Sequence, residues 1–217
     1  PAGSSTGEVV VAGAGSEYIV TVPIRNEQPA LTGWVEDRGV VSIEAAQFDR
    51  ASTAPDARWI TVPNLGRTDS AVTIAPAHAP RRAAVAGAPC LEYDFTLLDG
   101  ATVAVDAYVS PTQDFHHGGG LRFALAIDDA APQIVNINEG ESVPDWKYPD
   151  WWSQSVGDHI KIRRSAHQAL APGKHTLKVW MIDSGIVLQK FVVDAGGQKP
   201  TYLGPPASRR ASGAAAN

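Results

Sequence analysis

The sequence predicts an all-β sandwich, and three observations carry that prediction. Short runs rich in valine, isoleucine, threonine and aromatics recur from end to end; glycine, proline, asparagine and aspartate separate them; and no segment keeps a sustained helical period of apolar residues. Many runs alternate. In "LRFALAI" the residues Leu121, Phe123, Leu125 and Ile127 fall on one side of an extended chain, so one face of that strand meets a core.

In chain order, strands are expected at 8–13 ("EVVVAG") and 17–24 ("EYIVTVPI"), then at 39–48, 58–63 and 70–76. Further strands fall at 90–97 and 101–109, either side of the Asp99-Gly100 turn, and at 120–128, 132–138 and 159–164. The last two, 174–183 and 186–194, follow the Pro172-Gly173 turn. So many short strands suit a two-sheet sandwich or jelly roll better than a meander or a barrel. The polar stretch 25–39 has no clear strand and marks a boundary. Residues 1–32 then form an N-terminal segment whose two strands are too few to fold alone. Residues 33–207 form the sandwich, and the small, polar residues 208–217 read as a disordered tail.

A chain of 217 residues can bury a core without disulfides, and Cys90, the single cysteine, excludes an internal bridge. The formal charge of -5 and the scattered lysines and arginines argue against nucleic acid or an anionic membrane surface as partner. No apolar run approaches the roughly 18 residues that span a bilayer. A neutral or polar ligand fits better. Met181 is the only methionine and the first residues lack the build of a signal peptide, so the chain is expected to be a processed protein or a piece of a larger one.

The motifs that would carry chemistry are few. There is no GxSxG elbow, phosphate-binding loop or HExxH pair. Asp128 and Asp129 are neighbours on an extended chain and face opposite ways, so they suit turn capping better than glycoside cleavage. His116 and His117 diverge for the same reason and have no third ligand at a suitable spacing, which disfavours zinc or copper. The three glycines after them instead let the backbone approach a ligand closely, with Phe115, His116 and His117 as contacts on a loop. Tryptophan is the richest signal. Trp59 and Trp180 sit inside strand patterns and are expected in the core, while Trp34, in the boundary segment, is expected to pack between domains. "PDWKYPDWWS" places Trp146, Tyr148 and Trp151 between and beside prolines, where rings are hard to bury and their flat faces can stack on the C–H faces of a sugar.

Three blocks, "GWVEDRGVVSIEAAQFDR", "GLRFALAIDDAAPQIVNIN" and "PGKHTLKVWMIDSGIVLQKFVVDAGGQKPTYLGPPAS", resemble in order and spacing the C-terminal domain of glycoside hydrolase family 115, the xylan α-1,2-glucuronidases. The resemblance implies a galactose-binding-like jelly roll similar to carbohydrate-binding modules of families 6 and 35, behind a catalytic barrel and an immunoglobulin-like domain. Residues 8–24 would be the last strands of that immunoglobulin-like domain. It also implies an extracellular or periplasmic setting, plant glucuronoxylan as partner, and the parent's catalytic domain or a second copy as a protein contact. The family's catalytic acids belong to the barrel, so none carries over. "WWSQSVGD" resembles a family step in which Trp152 and Val156 are framework. A structural calcium is implied on Glu44 and Asp194, although Ala46 stands where the family's modules place a second acid. A glucuronate carboxylate would seek a guanidinium from Arg122, Arg163 or Arg67. Two other readings stay open: a purely structural domain for packing or dimerisation, and a hydrolase or esterase in its own right.

Overall fold

A computed structural model describes residues 3–26, 31–141 and 148–211. The chain divides into two units, Pro1–Leu31 and Thr32–Asn217. In the first, β1 (Gly3–Gly13) and β2 (Ser16–Asn26) form an antiparallel ribbon. Its turn holds Ala14 and Gly15 at φ 48° and 77°, the positive pair whose twist matches that of the flanking strands. Val9, Val10 and Val11 on β1, and Tyr18, Ile19 and Val20 on β2, are all exposed, so both faces of the ribbon carry uncovered apolar side chains.

The second unit is a jelly-roll β-sandwich. Its elements are β3 (Trp34–Val35), β4 (Val40–Glu44), β5 (Arg50–Ser52), β6 (Arg58–Val62), β7 (Ala71–Ala75), β8 (Cys90–Leu97), β9 (Ala101–Val109), β10 (Arg122–Ile127), β11 (Gln133–Asn136), α1 (Asp150–Asp158), β12 (Lys161–Leu170), β13 (Gly173–Met181) and β14 (Leu188–Asp194). One sheet runs β11-β10-β13-β8-β3 with β5 also on β8; the other runs β12-β9-β14-β7-β6 with β4 also on β14. Every expected strand between 39 and 194 is present.

Alternation builds the core. Leu91, Tyr93, Phe95 and Leu97 of β8, Leu177 and Val179 of β13, and Phe123, Leu125 and Ile127 of β10 face Ile43, Val105, Ala107, Phe191 and Val193 of the other sheet. Tyr93 is fully buried because its hydroxyl donates to the Ala45 carbonyl at 2.8 Å, which removes the cost of an unmade hydrogen bond.

The structure departs from the sequence reading in four places. Trp34 is 3% exposed and belongs to the sandwich's own core rather than to a domain contact. Trp180 sits among Thr176 and Lys178 on the outward side of β13, since the alternation of that strand buries His175, Leu177, Val179 and Met181 instead. A short helix, α1, occupies a stretch read as irregular. Residues 208–211 are tied to the domain: Val35 donates to the Arg209 carbonyl and Ala211 to the Gly33 carbonyl. Residues 212–217 lie outside the described residues.

Candidate functional site

Register places several loops at one end of the sandwich. Lys161 pairs with Val109, Arg122 with Asn136, Phe123 with Met181 and Leu188 with Val109, so segments 110–121, 137–141, 148–160 and 182–187 adjoin the same end. Side chains lace them. The Thr112 carbonyl accepts from Asn138 Nδ2 at 3.0 Å and Lys161 Nζ at 3.3 Å, and the Leu121 amide donates to Asn138 Oδ1 at 3.0 Å. Glu141 takes ion pairs from Lys161 and Arg163. Burial pushes the Lys161 amine down, and Glu141 opposes that shift.

An aromatic pair lies on the segment that leads into β12. Tyr148 is 77% exposed and Trp152 37%, and their rings lie 4.7 Å apart at an interplanar angle of 33°. The geometry follows from local sequence. Pro149, in extended conformation, opens α1, Asp150 complements the positive helix start, and the helix ends at His159 in the left-handed region. Trp152 and Val156, four apart on α1, share one face of the helix, and Tyr148 precedes the extended Pro149 that caps it. Val156 is also exposed, so Trp152 and Val156 are surface residues and not framework. Trp151, expected in the platform, is half-buried. Trp146 lies outside the described residues.

Phe115 is 47% exposed, with its ring 4.2 Å from that of His116. Asp114 shapes this loop by accepting from the amides of Gly120 at 2.8 Å and Gly118 at 3.4 Å, and those bonds hold its carboxyl below the usual range. His116 meets Ser184 at 3.2 Å, while His117 is exposed with φ 52°. Among the described residues, no group of three or more His, Cys, Asp or Glu side chains gathers to hold a metal. Of the three arginines weighed for a carboxylate, Arg163 is bonded to the Ile137 carbonyl and Glu141, and Arg67 lies 4.0 Å over the Tyr202 ring. Arg122 stays at the Phe115 loop, with Nε on Asp183 at 3.2 Å and Nη2 on the Gly118 carbonyl at 3.3 Å.

The pair read as calcium ligands is not brought together. Glu44 pairs in register with Lys190, whereas Asp194 pairs with Val40 at the far end of the same ladder. Each is already met by a cation. Lys190, 2% exposed, places Nζ 3.2 Å from Glu44, which also accepts from Thr68 Oγ1 at 2.7 Å. Burial pushes the Asp194 carboxyl up, but Arg164 at 2.6 Å and the amides of Gly196 and Gln198 outweigh it, so the net shift is downward. These residues do not fit one shared ion: a buried ammonium supplies at Glu44 the charge that calcium would supply.

Two serine–histidine contacts bear on the hydrolase reading. Ser184 Oγ lies 2.7 Å and 3.0 Å from the carbonyls of Ala77 and Ala79, so its proton is committed there and His116 must donate to it. Ser165 and His167 are both buried, and Gln133 Nε2 faces His167 Nδ1 at 3.3 Å, which leaves His167 Nε2 to donate to Ser165. Neither serine is poised as a nucleophile. Asp128 closes its turn as the sequence suggests, accepting from the Thr176 amide at 2.9 Å and contacting His175 at 2.8 Å.

The sandwich can be compared with known proteins. The model of the glycosyl hydrolase family 115 C-terminal domain matches residues 33–207. The chain belongs to that family. A family 115 4-O-methyl-α-glucuronidase, described as specific for decorated arabinogalactans, is similar in structure with TM-score 0.52 and 19% identity; the match covers 73% of this chain and 18% of that one. This family 115 domain thus shares its fold with a small part of that enzyme. Weaker likenesses link it to a Podospora anserina mannanase carrying a CBM35 module (TM-score 0.44, 11% identity, 76% and 29% covered). Another is a CBM6 module of Clostridium stercorarium in complex with cellobiose (TM-score 0.41, 14% identity, 71% and 93% covered). No curated protein sequence matches the chain.

Of the residues that the sequence proposes for a ligand, Tyr148, Phe115, His116 and Arg122 fall on or beside these loops; Trp152, read as framework, is the ring partner of Tyr148. The density of rings in "YPDWW" was the available signal. No motif signals that Arg81 and Arg122, 41 positions apart in the chain, both donate to Asp183, a further 61 positions on.

Proposed function

We propose that the family 115 C-terminal domain is a non-catalytic carbohydrate-binding accessory domain. Its ligand is (glucurono)xylan or another plant polysaccharide, bound at the loop end of the sandwich. One observation carries the reading: the exposed rings of Tyr148 and Trp152, tilted against each other. Burying two aromatic rings is the ordinary outcome of folding, and here the fold leaves both open to water. A pyranose laid on such a surface covers ring area through its C–H face, while its hydroxyls stay in reach of polar neighbours. Family membership supports an accessory role, in which the domain holds polysaccharide for a catalytic partner in the same polypeptide, in an extracellular or periplasmic setting.

Affinity electrophoresis of the chain through gels containing glucuronoxylan, arabinoxylan or cellulose tests the reading. We expect retardation by at least one xylan, weakened in Tyr148→Ala and Trp152→Ala. Free migration in every gel would overturn carbohydrate binding and leave a structural domain for inter-domain packing or dimerisation. Release of an acidic sugar from xylan by the chain alone would overturn the non-catalytic part.

A further inference from the structure

Where the 137–141 segment meets the start of β12, an amine, a carboxamide and a carboxylate lie together. Lys161 is 5% exposed; its Nζ forms an ion pair with Glu141 Oε1 and donates to the Thr112 carbonyl at 3.3 Å. The Asn138 carboxamide shares both partners. Its Nδ2 donates to Glu141 Oε2 at 2.8 Å and to the same Thr112 carbonyl at 3.0 Å. An amine and a carboxamide held by the same two acceptors are neighbours, and one carboxylate touches both. On its other side the carboxamide is fixed by the Leu121 amide, which donates to Oδ1 at 3.0 Å. Arg163 Nη2 also reaches Glu141 Oε1 at 3.3 Å, and only 9% of the Glu141 side chain is exposed.

Each part has a use in amide exchange. Lysine attacks a carbonyl only as the free amine, and burial at Lys161 favours that form. Glu141 is bonded to both the amine and the nitrogen that has to leave, so it can carry a proton from one to the other. The Leu121 amide points at the oxygen on which negative charge gathers during the attack.

We propose that Lys161 and Asn138 become joined by an intramolecular isopeptide bond, with Glu141 as the proton carrier. Glu141 takes a proton from the Lys161 ammonium. The lone pair freed on Nζ attacks Cγ of Asn138, and the carbonyl electron pair moves onto Oδ1 against the Leu121 amide. Glu141 then gives its proton to Nδ2 and takes one from Nζ, the Cγ–Nδ2 bond breaks, and the carbonyl re-forms. Ammonia departs, and the proton left on Glu141 goes with it as ammonium. The products are one secondary amide and one ammonium ion, and no oxidant, metal or second substrate is consumed. The bond closes residues 138–161 into a ring that carries Tyr148 and Trp152, and like any covalent cross-link it limits the freedom of the unfolded chain. It stands apart from the carbohydrate-binding reading and does not depend on it.

Intact mass spectrometry of the full chain under denaturing conditions tests the proposal. The expected mass is that of the sequence less one ammonia. A trypsin digest should release one branched peptide joining the segments of Asn138 and Lys161, although Lys147 offers a cleavage point between them. Asn138→Ala and Lys161→Met should each show their full mass. The wild-type mass decides the matter even where a variant fails to fold: a chain at its full sequence mass would overturn the bond. Loss of water in place of ammonia would move the bond to Glu141 and overturn the assignment to Asn138. Loss of ammonia that persists in Lys161→Met would mark closure of Asn138 on its own backbone and overturn the cross-link.

Discussion

Two tyrosine-containing ring pairs of the domain sit in opposite settings. Tyr93 and Phe191 join the two sheets at a ring separation of 5.4 Å, and both are fully buried. Tyr148 and Trp152 lie 4.7 Å apart on the surface. The first pair removes its whole area from water when the chain folds, so its energy goes into stability. The second pair keeps most of the Tyr148 ring in water, and that surface is free to be covered by something else. Proximity of two rings therefore says little about role; what surrounds them decides it.

Predictions follow from this contrast, in order of expected size. Phe191→Ala should cost about 3–5 kcal/mol of stability, measured by urea denaturation, because the void between tightly packed sheets cannot close. A cost below about 1 kcal/mol would show the buried pair to be no more than peripheral.

The side of β8 that faces away from Tyr93 carries a smaller effect. Arg50, bonded to Asp94 at 2.7 Å and 3.0 Å, is the main cause that holds the Asp94 carboxyl well below the usual carboxylate range, against the opposing effect of burial. Because the folded value lies below the unfolded one, this contribution is fully present above the unfolded value and is lost as pH falls through the folded one. Asp94→Asn should thus cost about 1–3 kcal/mol at neutral pH. Melting curves of wild type and variant should converge as pH drops below about 4. A gap that stays constant with pH would refute the assignment.

Trp152→Ala marks the other side of the comparison. It should change stability by no more than about 0.5 kcal/mol, yet weaken polysaccharide binding by about 0.5–1.5 kcal/mol. A large loss of stability would make the exposed pair a structural element like the buried one. The smallest signal concerns Cys90, whose thiol burial pushes up to about 12. It should stay unreactive to a thiol reagent at about pH 8 until the protein is denatured.

Much of this was legible in the sequence for a physical reason. Strands such as β10 and β13 must alternate to bury one face, and a period of two is visible without any knowledge of partners. Trp180 shows the limit of that reasoning: a tryptophan inside a strand pattern is inward or outward according to register, and the alternation of its neighbours, not its own size, decides. The two-residue β3 and three-residue β5 are too short to show a period. The helix α1 was hidden by the proline at its start and by a span of only nine residues. The charged cluster on Asp183 was illegible because its members come from three separate segments. The Glu44 and Asp194 pairing failed for a related reason, since family analogy supplies residue types but not the lysine that the fold places at 190.

The central claim is that the exposed pair binds carbohydrate while the buried pair holds the fold. Calorimetric titration of glucuronoxylan oligosaccharides into wild type and a Tyr148→Ala/Trp152→Ala double variant, with a thermal melt of each, tests it most directly. The account predicts a binding isotherm for wild type, its loss in the double variant, and melting temperatures within a few degrees of each other. Equal binding by both proteins, or no binding by either, would contradict it.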